Sequence, residues 1–136
     1  MAQTLSIVNY DSGRQDILHA KAVLKTGTGY DTVTQGTFKC IVVPAGARVI
    51  SGYVVVSDAT SSSVTITVGD GGSAARYLGS TSAASTGLTA LVPTGYQYTS
   101  DDTIDIVVAG ANAAADGIIE LYVNYVVDGR SAFVQK

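Results

Sequence analysis

The sequence predicts an all-β fold, a single-domain antiparallel β-sandwich of about eight strands, with a jelly roll as the leading arrangement. Three observations carry this. Period-two alternation of apolar and polar residues recurs along the chain, while helical periodicity is almost absent. Turn-forming clusters rich in Gly, Pro, Asp, Asn and Ser separate the alternating runs. Finally, 46% of the 136 residues are hydrophobic, so the chain has the material for a core without disulfide staples. An immunoglobulin-like sandwich is the nearest rival, weakened by the absence of tryptophan and of a second cysteine.

Taken in order, residues 17–24 form a first strand candidate, in which His19 and Lys21 share one face and Leu18, Ala20, Ala22 and Leu24 the other. Phe38, Cys40 and Val42 then place an apolar face on a second strand, with Lys39 opposite. A turn at "PAGA" leads into a third strand over 47–57, and "SDATSS" closes it. Val64, Ile66 and Val68 alternate with Thr65 and Thr67, and "GDGG" ends that run. Weaker candidates cover 76–79 and a short stretch within 88–98. Ile104, Ile106 and Val108 make one face of a strand over 103–109, with Asp105 on the other. The Ala-rich 111–115 is flanked by Asn, Asp and Gly and reads as a loop. The last strand has the cleanest face, Ile119, Leu121, Val123, Tyr125 and Val127, opposed by Glu120, Tyr122 and Asn124. These runs bound a sandwich domain at 17–129, with an N-terminal arm over 1–16 and a C-terminal tail over 130–136.

Charge is scarce. Eight basic and eleven acidic residues amount to 14% of the chain, against roughly 25% for an average soluble domain. The surface is therefore finished with Ser, Thr, Gly, Ala and Tyr, or is partly covered by a partner. A net charge of −3 without a basic stripe argues against nucleic acid as a partner. No apolar run approaches the roughly 20 residues of a membrane helix, and the first residues lack a secretion leader, so no membrane partner is expected. A single cysteine, Cys40, excludes an internal disulfide.

The stretch 68–79, "VGDGGSAARYLG", tests whether the chain holds chemistry. A phosphate loop needs glycines followed at once by a helix N-terminus, and a P-loop adds Lys and Ser/Thr. Neither follows here, so the stretch reads as a strand end, a glycine turn and an exposed docking segment. His19 has no nucleophile beside it, and Cys40 sits on an apolar face as a small core residue. Asp101, Asp102 and Asp105 lack the spacing of a helical calcium loop. No catalytic residue, cofactor or metal is expected, and the chain is not read as an enzyme. Eight tyrosines stand against two phenylalanines and no tryptophan. Tyrosine suits protein interfaces, and Tyr77, Tyr96 and Tyr98 lie in or beside irregular segments, although each serves equally well as a cap on the end of the core.

The blocks "VPAGARVISG", "VTITVGDGGSAARYLG", "STGLTALVPTGYQYT" and "LYVNYVVDGR", in that order, resemble the small head structural proteins of tailed bacteriophages. The likeness begins at Val43 and covers about two-thirds of the chain, while residues 1–42 carry none. It is a likeness to capsid cement, or decoration, proteins, which implies a β-sandwich on the outside of a head shell, made in the host cytoplasm and carried on the virion. It also implies the major capsid protein as partner, self-association as a homodimer or homotrimer, and no catalytic residues. On that reading the contact residues are Arg76, Tyr77, Tyr96, Tyr98 and Arg130. A tail or head–tail structural protein and a carbohydrate-binding sandwich are the alternatives.

Overall fold

The computed structural model describes residues 17–27, 29, 32–60, 63–110 and 116–128. The strands are β1 (Leu18–Thr26), β2 (Gly36–Val43), β3 (Ala47–Asp58), β4 (Thr65–Asp70), β5 (Leu78–Ser82), β6 (Gly87–Ala90), β7 (Asp102–Ala109) and β8 (Gly117–Val127). They form two antiparallel sheets, one in the order β1-β8-β3-β6 and the other β2-β7-β4-β5. Only β4 and β5 are consecutive in sequence and adjacent in a sheet; every other connection crosses between sheets. That alternation is a jelly roll, so the predicted fold class holds. The proposed arm over 1–16, the tail over 130–136 and the Ala-rich 111–115 lie outside the described residues.

The core lies between the sheets and is built by the alternation. Val64, Ile66, Val68, Ile104, Ile106 and Val108 come from one sheet, and Val54, Val56, Ile119, Leu121 and Val123 from the other, all buried. Most are β-branched, which suits both the pleat and the tight interior. At about 25 cal/mol per Å² of apolar area removed from water, this layer is the main source of stability.

Three expectations are corrected. Val42 does not share the inner face with Phe38 and Cys40; it is 72% exposed, while Ile41 and Val43 are buried. The register against β7 slips between Lys39 and Ile41, so Cys40 is the extra residue of a β-bulge. One inserted residue reverses the in–out alternation beyond it. The strand expected at 76–79 begins at Leu78, because 71–77 is a loop. The stretch 88–98 contributes most of the short β6 and a single bridge from Gln97 to Arg48, and the rest of the chain up to β7 is irregular.

The bulge makes a direct prediction. Val43→Ala should lower stability by about 2–3 kcal/mol, whereas Val42→Ser should change it by less than about 0.5 kcal/mol, both read from urea unfolding. Equal losses at the two positions would put the bulge elsewhere.

Candidate functional site

One end of the sandwich gathers the loops that hold the candidate residues. The β2–β3 turn over 44–46, the β4–β5 loop over 71–77, the 91–101 segment and Asp128, the residue after β8, meet there. Backbone hydrogen bonds tie them: Gly46 N–H to the Tyr98 carbonyl at 2.6 Å, Tyr98 N–H to Ala47 at 2.9 Å, and Asp128 N–H to Gly46 at 2.9 Å. Val92 N–H donates to the Tyr77 carbonyl at 2.8 Å, so the long segment is also pinned to the loop before β5. Ala45 N–H finds the Asp101 carboxylate at 2.9 Å.

At the centre of this end stands Asp70, the last residue of β4, only 4% exposed. Its Oδ1 accepts the N–H groups of Gly72 at 3.0 Å and Ser73 at 2.9 Å, the carboxylate-capped turn that Asp-Gly-Gly favours. Arg76 reaches the same carboxylate with Nε on Oδ2 and Nη2 on Oδ1 at 3.2 Å, a bidentate pair. Tyr98 donates its hydroxyl to Oδ2 at 2.8 Å. An ionised carboxylate only accepts, so the Tyr98 proton is committed and Tyr77 donates to the Tyr98 oxygen, also at 2.8 Å. Tyr77 and Tyr98 are 1% and 2% exposed. The Arg76 guanidinium in turn lies 3.7 Å over the ring of Tyr96, which meets Tyr98 edge-on with centroids 5.1 Å apart.

Burial pushes the Asp70 carboxyl up, but Arg76, Tyr98 and the Ser73 N–H outweigh it, and its pKa falls below the ordinary carboxylate value. Tyr98 is pushed up, first by burial and then by Tyr77 and Asp70, so it stays a neutral donor. Burial likewise raises Tyr77.

The loop can close this way only because position 69 is glycine. A Cβ there would collide with the Ser73 carbonyl oxygen and the Ala74 backbone, which fold back across β4. The same geometry answers the phosphate question raised by "GDGG". The Gly72 and Ser73 N–H groups that a phosphate would need are already held by a negative carboxylate, which repels a second anion.

Four of the five candidate contact residues, Arg76, Tyr77, Tyr96 and Tyr98, are thus brought into one cluster. Tyr77 and Tyr98 lie in the core and offer no surface of their own; they hold the loops that carry Arg76 and Tyr96. Tyr96 is 37% exposed. Arg130 lies outside the described residues, two positions beyond Asp128, whose carboxylate takes a hydrogen bond from Gln97 of the same cluster at 3.3 Å. Asp70, the residue that organises the group, reads from sequence only as a turn residue. Its one advance signal is the aspartate before Gly-Gly with an arginine six positions on.

The remaining candidates are placed apart. His19 is exposed on the outer face of the β1-β8-β3-β6 sheet, with Nδ1 2.6 Å from the Asn124 side-chain oxygen. Beside it Tyr53 and Tyr122 stack at 4.8 Å, and Lys21 pairs with Glu120 at 3.0 Å. Cys40 is half-buried, its thiol raised by burial and within 3.2 Å of the Phe38 carbonyl. Asp101 caps the β2–β3 turn, Asp102 accepts the N–H of Thr103 at 2.7 Å, and Asp105 accepts the Thr103 hydroxyl at 2.7 Å. Among the described residues no group of three His, Cys, Asp or Glu side chains is placed to hold a metal. Two surface depressions flank the loop end, one of about 250 Å³ lined by Lys39, Val42, Asp101, Asp102 and Thr103. The other, of about 180 Å³, is lined by Gly46, Arg48, Gln97, Val126 and Asp128. Both fall short of the roughly 300–1,000 Å³ of small-molecule sites.

No protein-family model matches the chain, and no curated protein sequence does. Solved structures do match in fold. A chain of the cyanophage Pam1 capsid asymmetric unit superposes with a TM-score of 0.69 and 24% identity, over 92% of this chain and 94% of that one. A chain of the Helicobacter pylori bacteriophage KHP30 capsid gives 0.63 and 18%, over 90% and 99%. One from the capsid of Ralstonia phage GP4 gives 0.64 and 16%, over 90% and 91%. The jelly roll described above is therefore shared, nearly end to end, with chains in three phage capsid structures.

Two outcomes test the Asp70 network. Asp70→Asn should cost about 3 kcal/mol at pH 7, because it leaves Arg76 without its partner charge. A depressed folded-state pKa means that this contribution is complete above the unfolded value near 3.9 and is lost as the pH falls through the folded value. The stability gap between the native chain and Asp70→Asn should therefore narrow below about pH 4; a gap constant from pH 7 to pH 2 would show that the carboxylate's charge is not what matters. Gly69→Ala should destabilise by about 2 kcal/mol or more, since backbone cannot yield as a side chain does.

Proposed function

We propose that this chain is a structural protein of a phage particle, a cement protein that binds the outside of the head shell and stabilises it by bridging neighbouring capsid subunits. The observation that supports this most is the superposition on chains of three phage capsid structures over nine-tenths or more of both partners. The sequence blocks from Val43 onward point the same way, and the cluster at the loop end supplies a physical means.

Packaged DNA pushes outward on a thin shell. A protein that touches two subunits adds buried area where they would part, and it stabilises the shell only by as much as it prefers the assembled lattice to separated subunits. Each contact can be modest, because an oligomer engaging several sites gains from effective concentration. Its own closed symmetry would be that of a dimer or trimer seated on a local symmetry axis. In this reading the stiff sandwich is the spacer, and Tyr96, the Arg76 face beside it and the tail beginning at Arg130 make the grip.

Tyr96→Ala and Arg130→Ala, separately and together, should leave cooperative unfolding in place. The double variant should co-sediment at least tenfold more weakly with purified shells lacking this protein. Cryo-electron microscopy of intact particles decides the location: regular copies over the outer shell support the cement role. Density confined to the neck or tail would replace it with a head–tail role, and absence from the particle would end it.

A further inference from the structure

Both sheets end on one flank of the sandwich, at β6 and at β5, and that flank carries no charge. From Tyr77 to Ser100 the chain holds no Asp, Glu, Lys or Arg, a run more than twice as long as any other in the sequence. It contains both edge strands, β5 paired only with β4 and β6 only with β3. The bond from Val92 N–H to the Tyr77 carbonyl ties the chain just after β6 to the residue before β5, so the two edges lie side by side. Two of the most exposed large apolar side chains stand here, Leu88 at 64% and Val92 at 67%.

The β6 edge is open at particular atoms. Leu91 N–H donates to the Gly52 carbonyl at 2.9 Å, so in this antiparallel pair Leu91, and Thr89 two residues back, turn their backbone groups toward β3. Leu88 and Ala90 turn theirs the other way, where among the described residues no strand or backbone group meets them. Their side chains stand on the outer face of the sheet, in rows with Val55 and Tyr53. Lysines guard the opposite edge of this sheet, Lys21 and Lys25 on β1; β6 has none. Its shortness is a partial guard, so a partner would be held by apolar contact added to backbone bonds.

The missing charge indicates what the partner is. Under a two-fold axis each residue near the axis meets itself or a close neighbour, so a charge there is set against its own like. A flank free of both signs meets that condition. A partner of different sequence imposes no such condition and is commonly matched by opposite charge.

We propose that β6 pairs with β6 of a second copy, antiparallel and centred on Thr89, joining the two four-stranded sheets into one. Leu88 then lies opposite the partner's Ala90 and exchanges backbone hydrogen bonds with it, and Thr89 lies opposite the partner's Thr89. Each large outward side chain stands beside a small one. In the second layer β5 presents Gly79, Ser80 and Ser82, exposed and small, so nothing bulky holds the two edges apart. Along the row from Leu88 through Val55 the first charge is Glu120, two strands in and already paired with Lys21. The pairing is a property of the free protein and does not rest on the capsid reading.

Sedimentation of the purified full-length chain at micromolar concentration should show a dimer. Leu88→Lys, at an exposed position, should leave cooperative unfolding intact and weaken association by about tenfold or more, because it removes the main apolar contact and brings like charges together. Val23→Lys, on the opposite edge, should leave the dimer unchanged. In a Cys40→Ala background, Thr89→Cys should form a disulfide-linked dimer on mild oxidation, since facing Cα atoms of a non-hydrogen-bonded pair lie about 4.5 Å apart. Leu88→Cys, displaced from its own copy in this register, should not. A monomer or a trimer overturns the proposal, as does a dimer that Leu88→Lys leaves intact or that links equally through both cysteines. No phage particle enters these measurements, so their failure is separate from failure of the cement reading: a monomer can still bind a shell, and a dimer can form in a protein of another role.

Discussion

One buried negative charge organises the loop end of this molecule. Asp70 stands at the tip of an inner strand of its sheet, where burial alone would make a carboxylate costly, and five hydrogen bonds from four other residues offset that cost. Each donor comes from a place that would otherwise be loose. Gly72 and Ser73 belong to the turn, Arg76 to the rest of the β4–β5 loop, and Tyr98 to the long segment before β7. The carboxylate thus acts as a common anchor for two loops that share no strand. Through Tyr98 it reaches the β2–β3 turn and, through Gly46, the end of β8.

How much of this was legible in the sequence follows from which forces are local. Period-two alternation reports burial directly, so Val64–Ile66–Val68, Ile104–Ile106–Val108 and the long face of β8 were readable as inner faces and proved to be so. The bulge at Cys40 was not readable. Alternation assumes an unbroken pleat, and the register slip depends on how β2 meets β7, some 65 positions away in the chain. The tyrosines illustrate the same limit. Tyr96 and Tyr98 share a face by spacing, yet one ring is at the surface and the other in the core, because Tyr98 alone has a buried acceptor within reach. Composition announced many tyrosines; only the tertiary position of Asp70 decides which of them are structural.

The scarcity of charge has a structural counterpart on the opposite flank. The outer face of the β1-β8-β3-β6 sheet is finished by cross-strand pairs rather than by scattered ions. His19, Asn124 and Ser51 form one hydrogen-bonded row, and Lys21, Tyr122 and Tyr53 form the next. The one ion pair in this ladder, Lys21 with Glu120, brackets the tyrosine ring, and Glu120 also accepts the Tyr122 hydroxyl at 3.2 Å. Such rows stiffen a sheet by small increments at each pair. They let a domain with few charges keep a defined, water-compatible face.

Stiffness at the loop end bears on what kind of attachment it can make. A side chain immobilised on binding costs about 0.5–1.5 kcal/mol. Arg76 is already fixed by two contacts to Asp70 and by the face of Tyr96, so little of that cost remains to be met. Its positive charge is also spent internally, against a buried carboxylate. What Arg76 and Tyr96 present outward is an ordered pairing of aromatic ring and planar guanidinium whose charge is matched by Asp70. Any contact made through this pair would therefore rest on shape and stacking. The share of such a contact made by Arg76 and Tyr96 should depend little on ionic strength, because screening acts on free charge and this arginine's charge is matched by Asp70.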